Sequence, residues 1–136
     1  MDIQESNRKI ALFMGYRKMT TDEQMKWLGM SGEHSLNRFK EFCLNHPENV
    51  PLFIKDDPTT PLYDDFISYH NSWDWLMLVV EKINKRDWVT IYCDECKIHA
   101  LNSGEFEDIV VIKEGGKLIE TVYEAVVKYI ELGLKF

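Results

Sequence analysis

The sequence predicts an α+β fold: an antiparallel sheet of about three to four strands sandwiched by about four helices, in a single domain over 1–136. Two observations carry this. Apolar residues recur at helical spacing near both ends of the chain and in its middle. Between residues 88 and 112, three short β-branched or alternating segments follow one another with only turn-sized separators, which is the pattern of an antiparallel meander.

Ile3, Ile10, Ala11, Leu12, Phe13 and Met14 outline an opening helix, with Gly15 placed as its C′ residue. Residues 16–31 are mixed, and Trp27-Leu28-Gly29 reads as a short strand or a turn. Leu36, Phe39, Lys40 and Cys43 repeat at helical spacing, giving a second helix from about Glu33 to Asn45. Pro47 disfavours helical backbone at the residue before it and stops that helix near His46. All four prolines lie between Pro47 and Pro61, a stretch expected to be an irregular surface connection.

Ser72 is placed to cap the next helix, and Asp74 suits its positive end. Trp73, Leu76, Met77, Val80 and Ile83 follow a buried-stripe pattern, and Trp75, Leu78 and Val79 form a second apolar stripe. A helix apolar on two sides is covered on both, either inside the domain or by another chain, so a homo-oligomer is expected. The strands follow as Trp88–Tyr92, Lys97–Leu101 and Ile109–Ile112, rich in residues that suit a half-buried pleated surface. After Gly115-Gly116, a closing helix carries Leu118, Val122, Ala125, Val126 and Tyr129 on its core face, with Glu124 and Lys128 in the favoured i, i+4 order and Gly133 at its end.

Composition narrows the partners. With 16 basic and 23 acidic residues, the net charge of −7 repels phosphate backbones and anionic bilayers, so neither a nucleic-acid polymer nor a membrane is an expected partner. The longest apolar stretch, Trp75 to Val80, falls far short of the roughly 20 residues that span a bilayer. The opening Met1-Asp2-Ile3-Gln4-Glu5 lacks the basic start and apolar core of a signal peptide. An odd count of 3 cysteines does not build a disulfide framework, which points to a reducing compartment.

Candidate chemistry is sparse. Cys93-x-x-Cys96 and Cys43-x-x-His46 together supply the three sulfurs and one nitrogen of a tetrahedral zinc site. Against zinc stand the acidic filling Asp94-Glu95 and the proline after His46, so no cofactor is expected and a zinc-binding structural or interaction protein is the alternative. Asp56/Asp57, Asp64/Asp65 and Glu105/Glu107/Asp108 read as solvated acids, and the four histidines, His34, His46, His70 and His99, share no close motif. No nucleophile elbow, P-loop or dinucleotide fingerprint is present, so the enzyme question leans to no. Tyr16, Trp27, Tyr63, Tyr69, Trp73 and Trp75 offer stacking surfaces, and Arg8, Lys9, Arg17 and Lys18 offer cations for phosphate, although core packing and solvation explain most of them.

The run Tyr69-His70-Asn71-Ser72-Trp73-Asp74-Trp75-Leu76-Met77, followed by Val79-Val80-Glu81-Lys82-Ile83, is similar to the signature of a group of small phage and prophage proteins named for a phage α/β/α ("ABA") sandwich domain. Lys9–Gly15 and Ile119–Ile130 resemble that group's opening and closing helices, whereas the stretch from about Pro47 to Pro61 is unmatched. The chain departs at Leu78, where the group often has proline; leucine gives a straighter helix. The resemblance implies a phage accessory protein in the host bacterial cytoplasm and supplies no catalytic residues. The resulting expectation is a non-enzymatic, anti-defence binding protein that sequesters a host nucleotide signal or blocks a host protein. Its expected ligand or subunit contacts are Tyr69, His70, Trp73, Trp75, Leu78, Val79, Arg17 and Lys18.

Overall fold

The computed structural model describes residues 2–30, 32, 35–55, 61–102, 105–113 and 116–133, without the side chains of 100–107. In chain order its elements are α1 (Ile3–Phe13), β1 (Arg17–Lys18), α2 (Thr21–Trp27), α3 (Ser35–Asn45), β2 (Phe53–Ile54), β3 (Pro61–Leu62), α4 (Trp73–Asn84), β4 (Trp88–Ile91), β5 (Glu95–Asn102), β6 (Glu105–Lys113) and α5 (Leu118–Gly133). The fold is α+β, with two antiparallel three-stranded sheets, β1-β2-β3 and β4-β5-β6. Contacts divide the chain into two compact units, Met1–Met14 with Ser68–Phe136 and Gly15–Ile67. Among the described residues no helix is long and apolar enough to cross a membrane.

The first unit holds the expected meander. Its register aligns Val89 with Ile98 and Val110, and Ile91 with Cys96 and Ile112. Side chains alternate across a pleated strand, so these residues share one face. Cys96, Ile98, Val110 and Ile112 are buried there, while Val111 on the other face is 43% exposed. Helix α5 packs along β5 and β6 and seals the apolar face with Val122, Ala125 and Val126. A bulge interrupts the ladder: Ile98 faces Val110 but His99 faces Asp108, leaving Ile109 as the extra residue.

Helix α1 starts at Asp2, whose carboxylate accepts the Glu5 amide at 3.2 Å. It ends ahead of Gly15 at φ +95°, a backbone conformation that costs glycine little. Helix α4 begins after Ser72, but that hydroxyl makes no capping bond. Its buried stripe is Leu76, Val79, Val80 and Ile83. Val79, expected on the second stripe, is core, whereas Trp73 and Met77, expected in the core, are 40% and 37% exposed. At about 100° per residue, Val79 and Met77 lie equally far, about 80°, to either side of the Leu76–Val80 direction, so the docking of the helix and not its period puts Val79 in the core. Leu78 points to the far side and is 56% exposed.

A buried polar network ties α1 to α5 and to the turn before α4. The Tyr123 hydroxyl donates to Asn7 Oδ1 at 2.9 Å, which orients the amide so that Asn7 Nδ2 donates to His70 Nδ1 at 3.0 Å. Burial pushes the Tyr123 phenol up to about 12.

In the second unit, β1 pairs with β2 through Arg17–Ile54 and Lys18–Phe53, and β2 pairs with β3 through Phe53–Leu62 and Ile54–Pro61. The stretch from Pro47 to Pro61 is therefore not wholly irregular. It holds a 3₁₀ turn at Pro47–Asn49 and strand β2, and Pro61 opens β3, where a strand tolerates proline. Its buried Val50, Pro51 and Phe53 supply core to this unit. Helix α2 occupies residues whose pattern was mixed. It is held by a capping box: Thr20 Oγ1 accepts the Glu23 amide at 3.2 Å, and Glu23 accepts the Thr20 amide at 3.1 Å. Leu28 and Gly29, the latter at φ +72°, turn the chain out of it.

Candidate functional site

Within the first unit, the C-terminal ends of α1 and α4 and the last turns of α5 border a half-open cavity of about 610 Å³. That volume lies within the roughly 300–1,000 Å³ of small-molecule sites. Ile83 and Ile130, both nearly inaccessible, form the floor. Phe13, Tyr129 and the bulge residue Ile109 form the wall. Leu12 is on the rim, 46% exposed. The charged lining is inverted relative to the chain: Lys9, Lys82, Lys85 and Arg86 against Asp87.

Most of these polar groups are already engaged. Lys9 Nζ lies 3.3 Å from Glu131 and 3.9 Å from Glu5. Lys82 donates to the Phe13 carbonyl and sits 4.7 Å above the Phe13 ring. It thereby neutralises the carbonyl end of α1 and adds a cation–π contact. The Tyr129 hydroxyl donates to the Asp87 carboxylate. Burial, reinforced by that acceptor, pushes the Tyr129 phenol up to about 12. Phe13 and Tyr129 meet edge to face, 6.3 Å apart at 86°. Lys85 and Arg86, both exposed at the end of α4, have no carboxylate partner among the described residues.

The residues singled out from the sequence lie elsewhere. Tyr69 is buried against Trp75, edge to face at 5.1 Å. His70 belongs to the Asn7 network, Val79 to the core, and Trp73 and Leu78 to the exposed side of α4. None of these six lines the cavity. Arg17 and Lys18 belong to the second unit. There the Arg17 guanidinium grips Glu23 through two bonds of 2.7 Å, the fork that a phosphate would otherwise use. Those bonds, chiefly, hold the Glu23 carboxyl down at about 2.

Of the zinc candidates, Cys43 and His46 lie in the second unit and Cys93 and Cys96 in the first. Among the described residues no three His, Cys, Asp or Glu side chains gather to hold a metal ion. Cys93 is exposed, whereas burial pushes the Cys96 thiol up to about 11 and keeps it neutral. His46 packs its ring on Phe42, 5.4 Å between centroids. Asp64 and Asp65 sit in a 3₁₀ turn, and Asp108 faces His99 at 2.5 Å across the bulge. Asp56, Asp57, His34 and Gly115 lie outside the described residues.

The cavity escaped sequence reading because its parts are dispersed. Lys85-Arg86-Asp87 reads as a turn, Tyr129 as core, and only Lys9 stood out as a cation near the first helix end. No protein-family model matches the chain, and no curated protein or solved structure matches it.

Proposed function

We propose that the protein is a non-enzymatic binding protein whose ligand is a small organic anion held in the cavity of the first unit. The observation that carries this reading is an apolar cavity at whose edge two cations, Lys85 and Arg86, have no carboxylate partner among the described residues, in a chain of net charge −7. Such a site concentrates anions locally although the whole molecule repels them. Binding is favoured over chemistry by the state of the wall: its carboxylate is occupied by the Tyr129 hydroxyl, and a half-buried phenol raised to about 12 is a poor proton donor and a poor nucleophile at neutral pH. The similarity of the Tyr69–Ile83 motif to phage ABA-sandwich proteins supports a phage or prophage accessory role in a bacterial cytoplasm. In that setting the protein counters host defence by withdrawing a small anionic signal, a nucleotide among the candidates, or by blocking a host protein. The exposed Trp73, Met77 and Leu78 support a homo-oligomer.

Native mass spectrometry of protein purified from bacterial cells, followed by thermal shift against a panel of nucleotides and organic acids, tests the reading. A ligand present at 100 times its Kd stabilises the fold by about 2.7 kcal/mol. The variant Leu12→Trp, which crowds the rim, is expected to abolish that gain without lowering the ligand-free Tm. A panel in which no anion raises Tm, or a gain that survives Leu12→Trp, overturns it.

A further inference from the structure

Resting on the reading of the cavity as an anion site, we infer that its ligand is a single-headed amphiphile, a medium-chain aliphatic carboxylate. Its head lies at Lys85 and Arg86 and its chain along Leu12, Ile109 and Leu132. Three observations converge on this class. First, the free charge is confined to one place. Lys9 is paired with Glu131 and Lys82 is spent on the Phe13 carbonyl and ring, so Lys85 and Arg86, the latter acting electrostatically on Tyr129, are the lining cations left without a carboxylate partner among the described residues. Two neighbouring cations match one carboxylate and fall short of a polyphosphate.

Second, the wall offers little to a nucleobase. Base recognition needs free donors and acceptors along a planar edge and an open ring face for stacking. Here the Asp87 carboxylate already accepts from Tyr129, one face of Phe13 carries the Lys82 ammonium, and Tyr129 stands at 86° to Phe13. A base or ribose placed there would lose water without replacing its hydrogen bonds. Third, the accessible aliphatic lining is branched. Leu12, Ile109 and Leu132 remain partly exposed over the buried Ile83 and Ile130, a surface suited to methylenes, each worth roughly 0.8 kcal/mol when removed from water.

The test is isothermal titration of the full chain with decanoate below its micelle-forming concentration, with 1-decanol as the uncharged analogue and ATP as the nucleotide. Decanoate is expected to bind more tightly than 1-decanol by roughly tenfold or more, and ATP not to bind. The double variant Lys85→Gln/Arg86→Gln alters exposed side chains and is expected to remove that tenfold advantage while leaving 1-decanol affinity unchanged. Decanoate binding that is equal in the parent and the double variant overturns the placement of the head group. Binding of ATP without decanoate overturns the amphiphile and leaves the anion site standing. If neither these probes nor any member of the earlier panel binds, the binding reading fails with it.

Discussion

Replacing Asn7 by alanine probes the joint that holds α1 in the first unit. Asn7 is nearly inaccessible; its Oδ1 accepts from the Tyr123 hydroxyl at 2.9 Å, and its Nδ2 donates to His70 Nδ1 at 3.0 Å. The substitution removes both bonds, each worth about 1 kcal/mol net. It also strands polar atoms, at about 1–3 kcal/mol for a buried group left without a partner. The phenol is not left wholly unsatisfied, because the Ile3 carbonyl stands 3.3 Å away and Ser6 is also within reach. The expected destabilisation is therefore about 2.5 kcal/mol, the two lost bonds plus a desolvation penalty reduced to about 0.5 kcal/mol because the phenol keeps other partners and His70 is only half-buried. With an unfolding entropy near 2.1 cal/mol/K per residue, the 136-residue chain should melt about 9 °C lower. The assay is urea denaturation of Asn7→Ala, Tyr123→Phe and the double variant, which closes a cycle around the pair. The two changes should couple by about 1 kcal/mol, because each removes the same bond. A loss within about 0.5 kcal/mol for Asn7→Ala, or additive single and double variants, would refute the claim that this network fastens the helix.

Two further outcomes are expected. Tyr123 and Tyr129 are both held up to about 12 in the fold, whereas an unfolded tyrosine ionises near 10. Above pH 10 the unfolded chain thus binds fewer protons than the folded one, so stability is fully present below pH 10 and falls as pH rises toward 12. Urea midpoints measured across pH 8 to 11 should be flat and then decline, and Tyr123→Phe should shallow the decline; a midpoint rising above pH 10 contradicts the burial of these phenols. Thr20→Ala removes one half of the α2 capping box and should cost about 1 kcal/mol, read by denaturation, with faster amide exchange in the first turn of that helix.

Local rules carried the elements with long, unambiguous patterns. The stripe Val122, Ala125 and Val126 specifies α5 because a 3.6-residue period leaves one continuous apolar face. Pro47 ends α3 at Asn45 by excluding helical backbone before it. The β-branched Val89 and Ile91 and the short run Ile109–Ile112 specify strands for steric reasons that act within a few residues. Helix α2 spans only 7 residues, too few to display a period, and its readable signal was Thr20 followed three places later by Glu23.

What those local rules determine is the type of most elements and the charge of the surface. Tertiary packing decides which side of α4 is core, because Trp73 and Val79 are both apolar and only the docking of the helix selects between them. It also brings Asn7 to Tyr123 across 116 residues of chain and gathers Lys85, Arg86, Phe13 and Tyr129 around one cavity. Those neighbours are set by where helix ends meet, a property of the assembled core that no short segment of sequence encodes.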